Sequence, residues 1–161
     1  MNEKEMYLQN LEHEYKTTLK VLKAYPSDKL DFKPHAISRT ARELFWTFAA
    51  EATIPIKALE GKLMLGQTPQ APNTVEELIA AYESSYKVLI ERIKNTSEED
   101  LNKTVKFPVA PKKMGDVRCI DLAWMMLLDM IHHRGQFSIY LRMAGGKVPS
   151  IYGPSADEPW M

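Results

Sequence analysis

Asp129 and His133 are four residues apart in the run DMIHHRGQFSIYLRMA. On a helix, that spacing stacks the two side chains on one face, one turn apart. A carboxylate and an imidazole so placed can grip one metal ion from a single helix, the geometry that HExxH exploits. Gln136 and Tyr140 extend the same face, seven and eleven residues on from Asp129. The helix is otherwise rich in Met, Leu, Ile and Phe, and polar groups buried among such residues must be paired or must bind something. A second acid lies upstream, where Leu44, Thr47 and Glu51 fall on one helical stripe. Glu51, Asp129 and His133 together would make a two-carboxylate, one-histidine set suited to Zn, Ni, Mn or Fe. Two metal-free readings stand beside it. In one, Asp129 and His133 share a hydrogen bond with no ion; in the other, Glu51 pairs with Arg134 or lies at the rim.

The remaining candidates carry less chemistry. His13 falls off the apolar stripe of the first helix and reads as solvated. His35, in the loop KPHAIS, either lines a pocket mouth or sits on the surface. Cys119 lies near a helix start, where thiol pKa values fall. No histidine is near it in sequence to act as its base, and a buried, inert thiol is the simpler reading. His132 is one residue off the Asp129 face and is not counted as a ligand. Gly135 inside a helix costs about 1 kcal/mol relative to Ala, which points to close approach by another backbone, such as one across a subunit contact. The sequence has no glycine-rich phosphate loop and no dinucleotide fingerprint.

These side chains need long helices to hold them, and glycine and proline mark where the helices stop. The first predicted helix runs from about Asn2 to Tyr25, with Leu8, Leu11, Tyr15, Thr18, Leu22 and Tyr25 on one stripe, and Pro26 ends it. The second opens on a capping box, Thr40 and Glu43, and Pro55 is expected to kink or end it. Gly61 to Asn73 reads as a loop. A second box, Thr74 and Glu77, opens the third helix, which runs to about Lys94. Ser97 to Gly115 is a connector with a short turn at SEEDL and an extended piece at TVKFPV. The fourth helix starts near Asp116 and ends at Gly145-Gly146, and the tail beyond is irregular. With no convincing strand alternation, the expectation is an all-α four-helix bundle, a single domain over residues 1–161.

Composition narrows the function. The chain of 161 residues carries 21 Lys+Arg against 21 Asp+Glu, and zero net charge argues against a general nucleic-acid binder. One cysteine permits no intrachain disulfide and fits a reducing compartment. The charged N-terminus does not read as a secretory signal, and the most apolar stretch, Ile120 to Met130, is too short to span a bilayer. The expectation is a cytoplasmic chain with neither membrane nor nucleic acid as partner.

The run HHRGQ followed by YLRMAGGKVPSIYGPSADE closely resembles the signature and tail of the DinB-like (DinB/YfiT-like) superfamily, and TARELFWTFAAEA resembles its second helix. The resemblance implies a four-helix bundle with an unusual crossover order, commonly a homodimer, and a divalent Ni or Zn ion held by three histidines. Relatives include S-transferases and isomerases that use low-molecular-weight thiols such as bacillithiol or mycothiol. Carried over by position, His133 matches the third histidine, while Asp129 and Thr47 stand where the other two are normally found. The expectation is therefore a metal held weakly or not at all, with Asp129, His133 and Glu51 as ligands and Tyr140, Gln136 and His35 about the pocket. Two functions follow from it. One is a metal-dependent enzyme acting on a small molecule, of thiol S-transferase or hydrolase type. The other is a metal-free, non-catalytic, dimeric small-molecule-binding or interaction protein of the same fold.

Overall fold

The computed structural model describes residues 1–64, 66 and 69–161. Along the chain run α1 (Glu3–Lys23), a 3-10 turn (Ser27–Lys29), α2 (Ala41–Leu59), α3 (Val75–Asn95), the short α4 (Glu98–Asn102), strands β1 (Thr104–Ala110) and β2 (Lys113–Arg118), and α5 (Cys119–Met143). The fold is mostly helical. Reciprocal capping boxes start three of the long helices: Thr40 with Glu43 and Thr74 with Glu77, as expected, and also Asn2 with Glu5. Each satisfies two backbone N–H groups that the helix itself cannot. After α5 the chain turns at Gly145, whose φ of +86° is a left-handed conformation that glycine adopts without steric cost.

Both α1 and α2 pack against α3 and against α5. Between them lies one apolar core to which every long helix contributes, with Leu11, Phe48, Leu78 and Phe137 among its buried members. Phe137 of α5 takes the edges of Phe45 and Phe48 of α2, with ring centroids 5.3 and 5.7 Å apart. Among the described residues, no helix is long and apolar enough to cross a membrane.

The structure corrects three expectations. First, the segment before α5 is a β-hairpin. β1 and β2 pair antiparallel, Val105 opposite Val117 and Phe107 opposite Gly115, and α5 begins at Cys119, not near Asp116. The alternation was weak because Pro108 and Gly115, both poor strand formers, interrupt it. Gly115 is needed there, since a Cβ on it would lie 2.9 Å from a Val109 methyl. One side of the hairpin, with Val105, Phe107 and Val117, packs with Ala58, Cys119 and Leu122 as a second small core. Second, Pro55 does not end α2, which continues to Leu59. Packing overrides the local penalty, and because Pro55 has no N–H, the Glu51 carbonyl one turn earlier loses its helical donor. Third, the close approach expected at Gly135 does not come from the described residues of this chain, where a Cβ would meet nothing within 4 Å; only its subunit-contact form stands as an expectation.

α5 also carries a buried charge. Arg134 is 2% exposed, and its guanidinium donates to Glu14 Oε2 at 2.6 Å and to Thr18 Oγ1 at 3.1 Å, both on α1. Glu51 is therefore not its partner. Tyr152, from the irregular tail, donates its hydroxyl to the same Glu14 oxygen at 2.8 Å, and its ring lies under the guanidinium. Removing one partner of a buried pair leaves an uncompensated charge, which costs about 3–5 kcal/mol. Glu14→Ala should lower the urea unfolding free energy by about that amount; a loss below ~1 kcal/mol would show that Arg134 finds water or another acceptor instead.

Candidate metal centre

The contact of α2 with α5 builds the site. α2 buries its apolar face, with Leu44, Phe45, Phe48 and Ala52 toward the core, and Glu51 lies beside them at 6% exposure. α5 presents Asp129 and His133 one turn apart, as their spacing requires. His133 Nε2 lies 3.1 Å from Glu51 Oε1 and 3.6 Å from Asp129 Oδ2. One donor atom from each of Glu51, Asp129 and His133 falls within 4.8 Å of the others. Phe48 closes the apolar side, its ring edge-on to His133 with centroids 6.5 Å apart.

The second imidazole nitrogen is held from behind. Gln136 Oε1 lies 3.1 Å from His133 Nδ1, and the Gln136 amide nitrogen lies 3.0 Å from His132 Nε2. An oxygen acceptor at Nδ1 places the proton of a neutral imidazole there and leaves Nε2 as a lone pair aimed at the two carboxylates. Metal-binding histidines are commonly held in this way. Gln136 is thus a support for His133, and His132 is an exposed outer member of the same chain of contacts.

The electrostatics follow from burial. Desolvation pushes the Glu51 carboxyl up to about 7, partly offset by its bond to His133, with nearby Asp129 raising it further. His133 is raised as well, chiefly by its hydrogen bond to Glu51. Nearby charge and burial thus favour one proton between Glu51 and His133 near neutral pH. Glu51 Oε2 is buried and has no hydrogen-bond partner among the described residues. An orphaned carboxylate oxygen costs roughly 1–3 kcal/mol or more, and a cation at this position would satisfy it.

Glu51 also lines a cavity of about 460 Å³ beside α2, together with Thr47, Arg39, Trp46, Ile54 and Lys57. Thr47 is not among the three donors. Its hydroxyl donates to the Glu43 carbonyl at 3.0 Å and accepts from Arg39 Nη1 at 2.9 Å. Gln136 and Tyr140 line a different groove, shared with Arg39, Ile37 and Ile139. Tyr140 donates its hydroxyl to the Arg39 carbonyl at 3.0 Å, pinning the loop before α2. His35 is exposed in that loop, where its Nδ1 accepts from the Ile37 N–H at 3.4 Å, and it lines neither hollow. Cys119 is buried in the small hairpin core, and its thiol is raised by burial rather than lowered by the helix start. Sequence reasoning missed Arg39 and Lys57. Both are single basic residues in unremarkable stretches, and only the fold brings them to one cavity.

The sequence profile of the DinB family matches residues 1–160. An uncharacterized protein of Bacillus subtilis strain 168, YrdA, is 23% identical over 154 residues, covering 94% of this chain and 89% of the relative. Two solved structures share the fold. A DinB-like protein of Bacillus cereus ATCC 10987 superposes with a TM-score of 0.74 at 20% identity, covering 92% of this chain and 97% of the other. A second, YjoA of Bacillus subtilis, does so with a TM-score of 0.71 at 16% identity, covering 91% and 97%. With a profile match over nearly every residue and the same fold in both structures, the chain belongs to the DinB family.

Proposed function

We propose that this protein is a divalent-metal-dependent enzyme acting on a small molecule, of thiol S-transferase or hydrolase type, with Glu51, Asp129 and His133 as the metal ligands. The observation that carries the reading is the cluster of three donor groups within 4.8 Å, one of which, Glu51, also carries a buried oxygen, Oε2, with no hydrogen-bond partner among the described residues. Two carboxylates and one imidazole suit a first-row divalent ion, with Zn or Ni held more tightly than Mn. When bound, such an ion would supply Lewis acidity, and of its three ligands Glu51 lines the 460 Å³ cavity. The chain's own residues do the rest. His133 is oriented by Gln136, Phe48 excludes water from one side, and Glu51 can hold or release a proton near neutral pH.

We further read residues 1–161 as one cytoplasmic domain whose four long helices form a four-helix bundle, and as a homodimer that binds neither nucleic acid nor membrane. Support for the dimer comes from α5. Met125, Leu128, Ile139 and Met143 are exposed at helical spacing along one stripe, and Gly135 lies open between them. A run of this kind marks a protein contact more often than bare surface, and the open glycine would let a second backbone approach.

A second reading rests on the 3.1 Å contact between Glu51 Oε1 and His133 Nε2. A shared proton can satisfy this pair without an ion, and the protein would then be a metal-free, non-catalytic, dimeric small-molecule-binding or interaction protein. The two readings separate by titration. After chelation, calorimetry should detect one equivalent of Zn²⁺ or Ni²⁺, with affinity rising through pH 7 as Glu51 loses its proton. Glu51→Gln and His133→Ala should each weaken it by more than about 100-fold, beyond the range of a supporting residue, while Thr47→Val should leave it unchanged. No binding by the unmodified protein at any pH would favour the metal-free reading.

Proton linkage gives an independent check in the presence of chelator. Both Glu51 and His133 have folded pKa values raised above their ordinary ones, so the folded state holds more protons than the unfolded one. This stabilisation is fully present at low pH and is lost as pH rises through the folded values. The pair's contribution should therefore fall between about pH 5 and pH 8. Thermal melts of the protein and of Glu51→Gln across that window should differ in slope, and parallel curves would show that the pair does not titrate together. For the dimer, sedimentation at micromolar concentration should give twice the 18.5 kDa chain mass, and Leu128→Lys with Ile139→Lys should give the monomer. A monomeric unmodified chain would refute the dimer.

A further inference from the structure

Arg39 and Lys57 flank Glu51 in the 460 Å³ cavity. Neither forms an ion pair among the described residues. Arg39 is held at the cavity wall from both ends. Its backbone carbonyl accepts the Tyr140 hydroxyl at 3.0 Å, and its Nη1 donates to Thr47 Oγ1 at 2.9 Å. The Thr47 hydroxyl has no freedom to turn away, because its own proton goes to the Glu43 carbonyl. A guanidinium has five N–H donors in a rigid fork, and the described residues give a side-chain acceptor to only one. The acids of the cavity do not neutralise these cations. Glu43 is turned back onto Thr40 in the capping box, and Glu51 is engaged with His133. Along α2, Thr47 lies about 6 Å from the level of Glu51, and Lys57 about 9 Å on the other side. Trp46 and Ile54 supply an apolar wall between them.

From this arrangement we infer that the cavity takes a small organic anion, an apolar body carrying one carboxylate or phosphate, whose acidic group is gripped by Arg39 while Lys57 adds a second positive charge across the cavity. Guanidinium recognition of carboxylate and phosphate is bidentate and directional. The grip would anchor one end of the molecule and leave its other atoms beside Glu51. Thr47 acts here as a positioning residue that presents the guanidinium to the cavity. The inference rests on reading this cavity as the substrate site, and it names the class of substrate.

The test uses matched probes of one shape: 4-phenylbutyrate, 4-phenylbutyl phosphate and the neutral 4-phenylbutanamide, titrated by calorimetry into the full chain, with the metal titration repeated on every variant. At least one anion should bind about tenfold more tightly than the amide, the difference expected for one charge-assisted hydrogen bond. Which anion gains more tells carboxylate from phosphate. Arg39→Gln should abolish that preference, Arg39→Lys should restore part of it, and Lys57→Gln should reduce it, all with metal affinity unchanged. Thr47→Val should weaken the anion without changing binding of the amide. Equal affinity for anion and amide, undetectable binding of all three at millimolar concentration, or a preference that survives Arg39→Gln would each overturn the inference. Loss of metal binding in the unmodified chain with the anion preference intact would instead defeat the metal-dependent reading and leave this one standing.

Discussion

Adjacent side chains of α5 each reach a buried carboxylate on a different helix, and the rotation of α5 depends on both. His133 meets Glu51 of α2 at 3.1 Å, and Arg134 meets Glu14 of α1 at 2.6 Å. Successive residues on a helix point about 100° apart, so the two contacts fix α5 between α1 and α2 like a pair of stops. Turning the helix by one residue would break both and bury an arginine against apolar surface, a far larger cost than lost packing alone. Apolar contacts such as Phe137 on Phe45 and Phe48 supply the bulk of the burial, but hydrophobic burial is not directional. The polar pairs choose one arrangement among those that bury similar area, and so they decide that Glu51, Asp129 and His133 meet.

Much of the helical scaffold was legible in the sequence because its signals are local. Two of the three capping boxes, the proline and glycine stops and the apolar stripes each act within a turn or two of chain. The extended piece at TVKFPV was legible and is β1, but its pairing into a hairpin was not, because that signal is relational. Gly115, opposite Phe107, makes sense only against the Val109 methyls that a Cβ there would meet, and the alternation of Val105 and Phe107 is cut short by Pro108. Pro55 misled for the opposite reason. It is a strong local breaker, and tertiary packing of α2 carried the helix through it.

The candidate site divides along the same line. Asp129 and His133 share a helix, so their spacing foretold their contact. Glu51 was placed on an inward stripe, but its partner was open between His133 and Arg134 until the packing of α1 gave Arg134 to Glu14. Arg39 and Lys57 carried no signal of any kind. They lie 18 residues apart in sequence, and what joins them is the cavity wall that α2 forms with the loop before it. Thr47 makes the difference concrete. Read by position it is a missing ligand; read by its contacts it is the acceptor that holds a guanidinium one turn from Glu51.

Proton and metal are two answers to one electrostatic deficit. Burying Glu51 removes water from its carboxylate, and the single imidazole nitrogen at hand can satisfy only one of its two oxygens. A proton shared with His133 compensates the nearer oxygen; the contact raises His133 and partly offsets the rise that burial imposes on Glu51. It leaves the farther one, Oε2, without a donor. A cation, if held by both carboxylates and the nitrogen together, would gain where the proton does not, at the expense of displacing that proton. Asp129, half-exposed and 3.6 Å from His133, matters most in this exchange. With a proton in the site it is a third partner that raises Glu51; with a cation it becomes the second negative charge that offsets the ion. The balance between the two states would therefore turn on pH near the value to which burial has pushed Glu51.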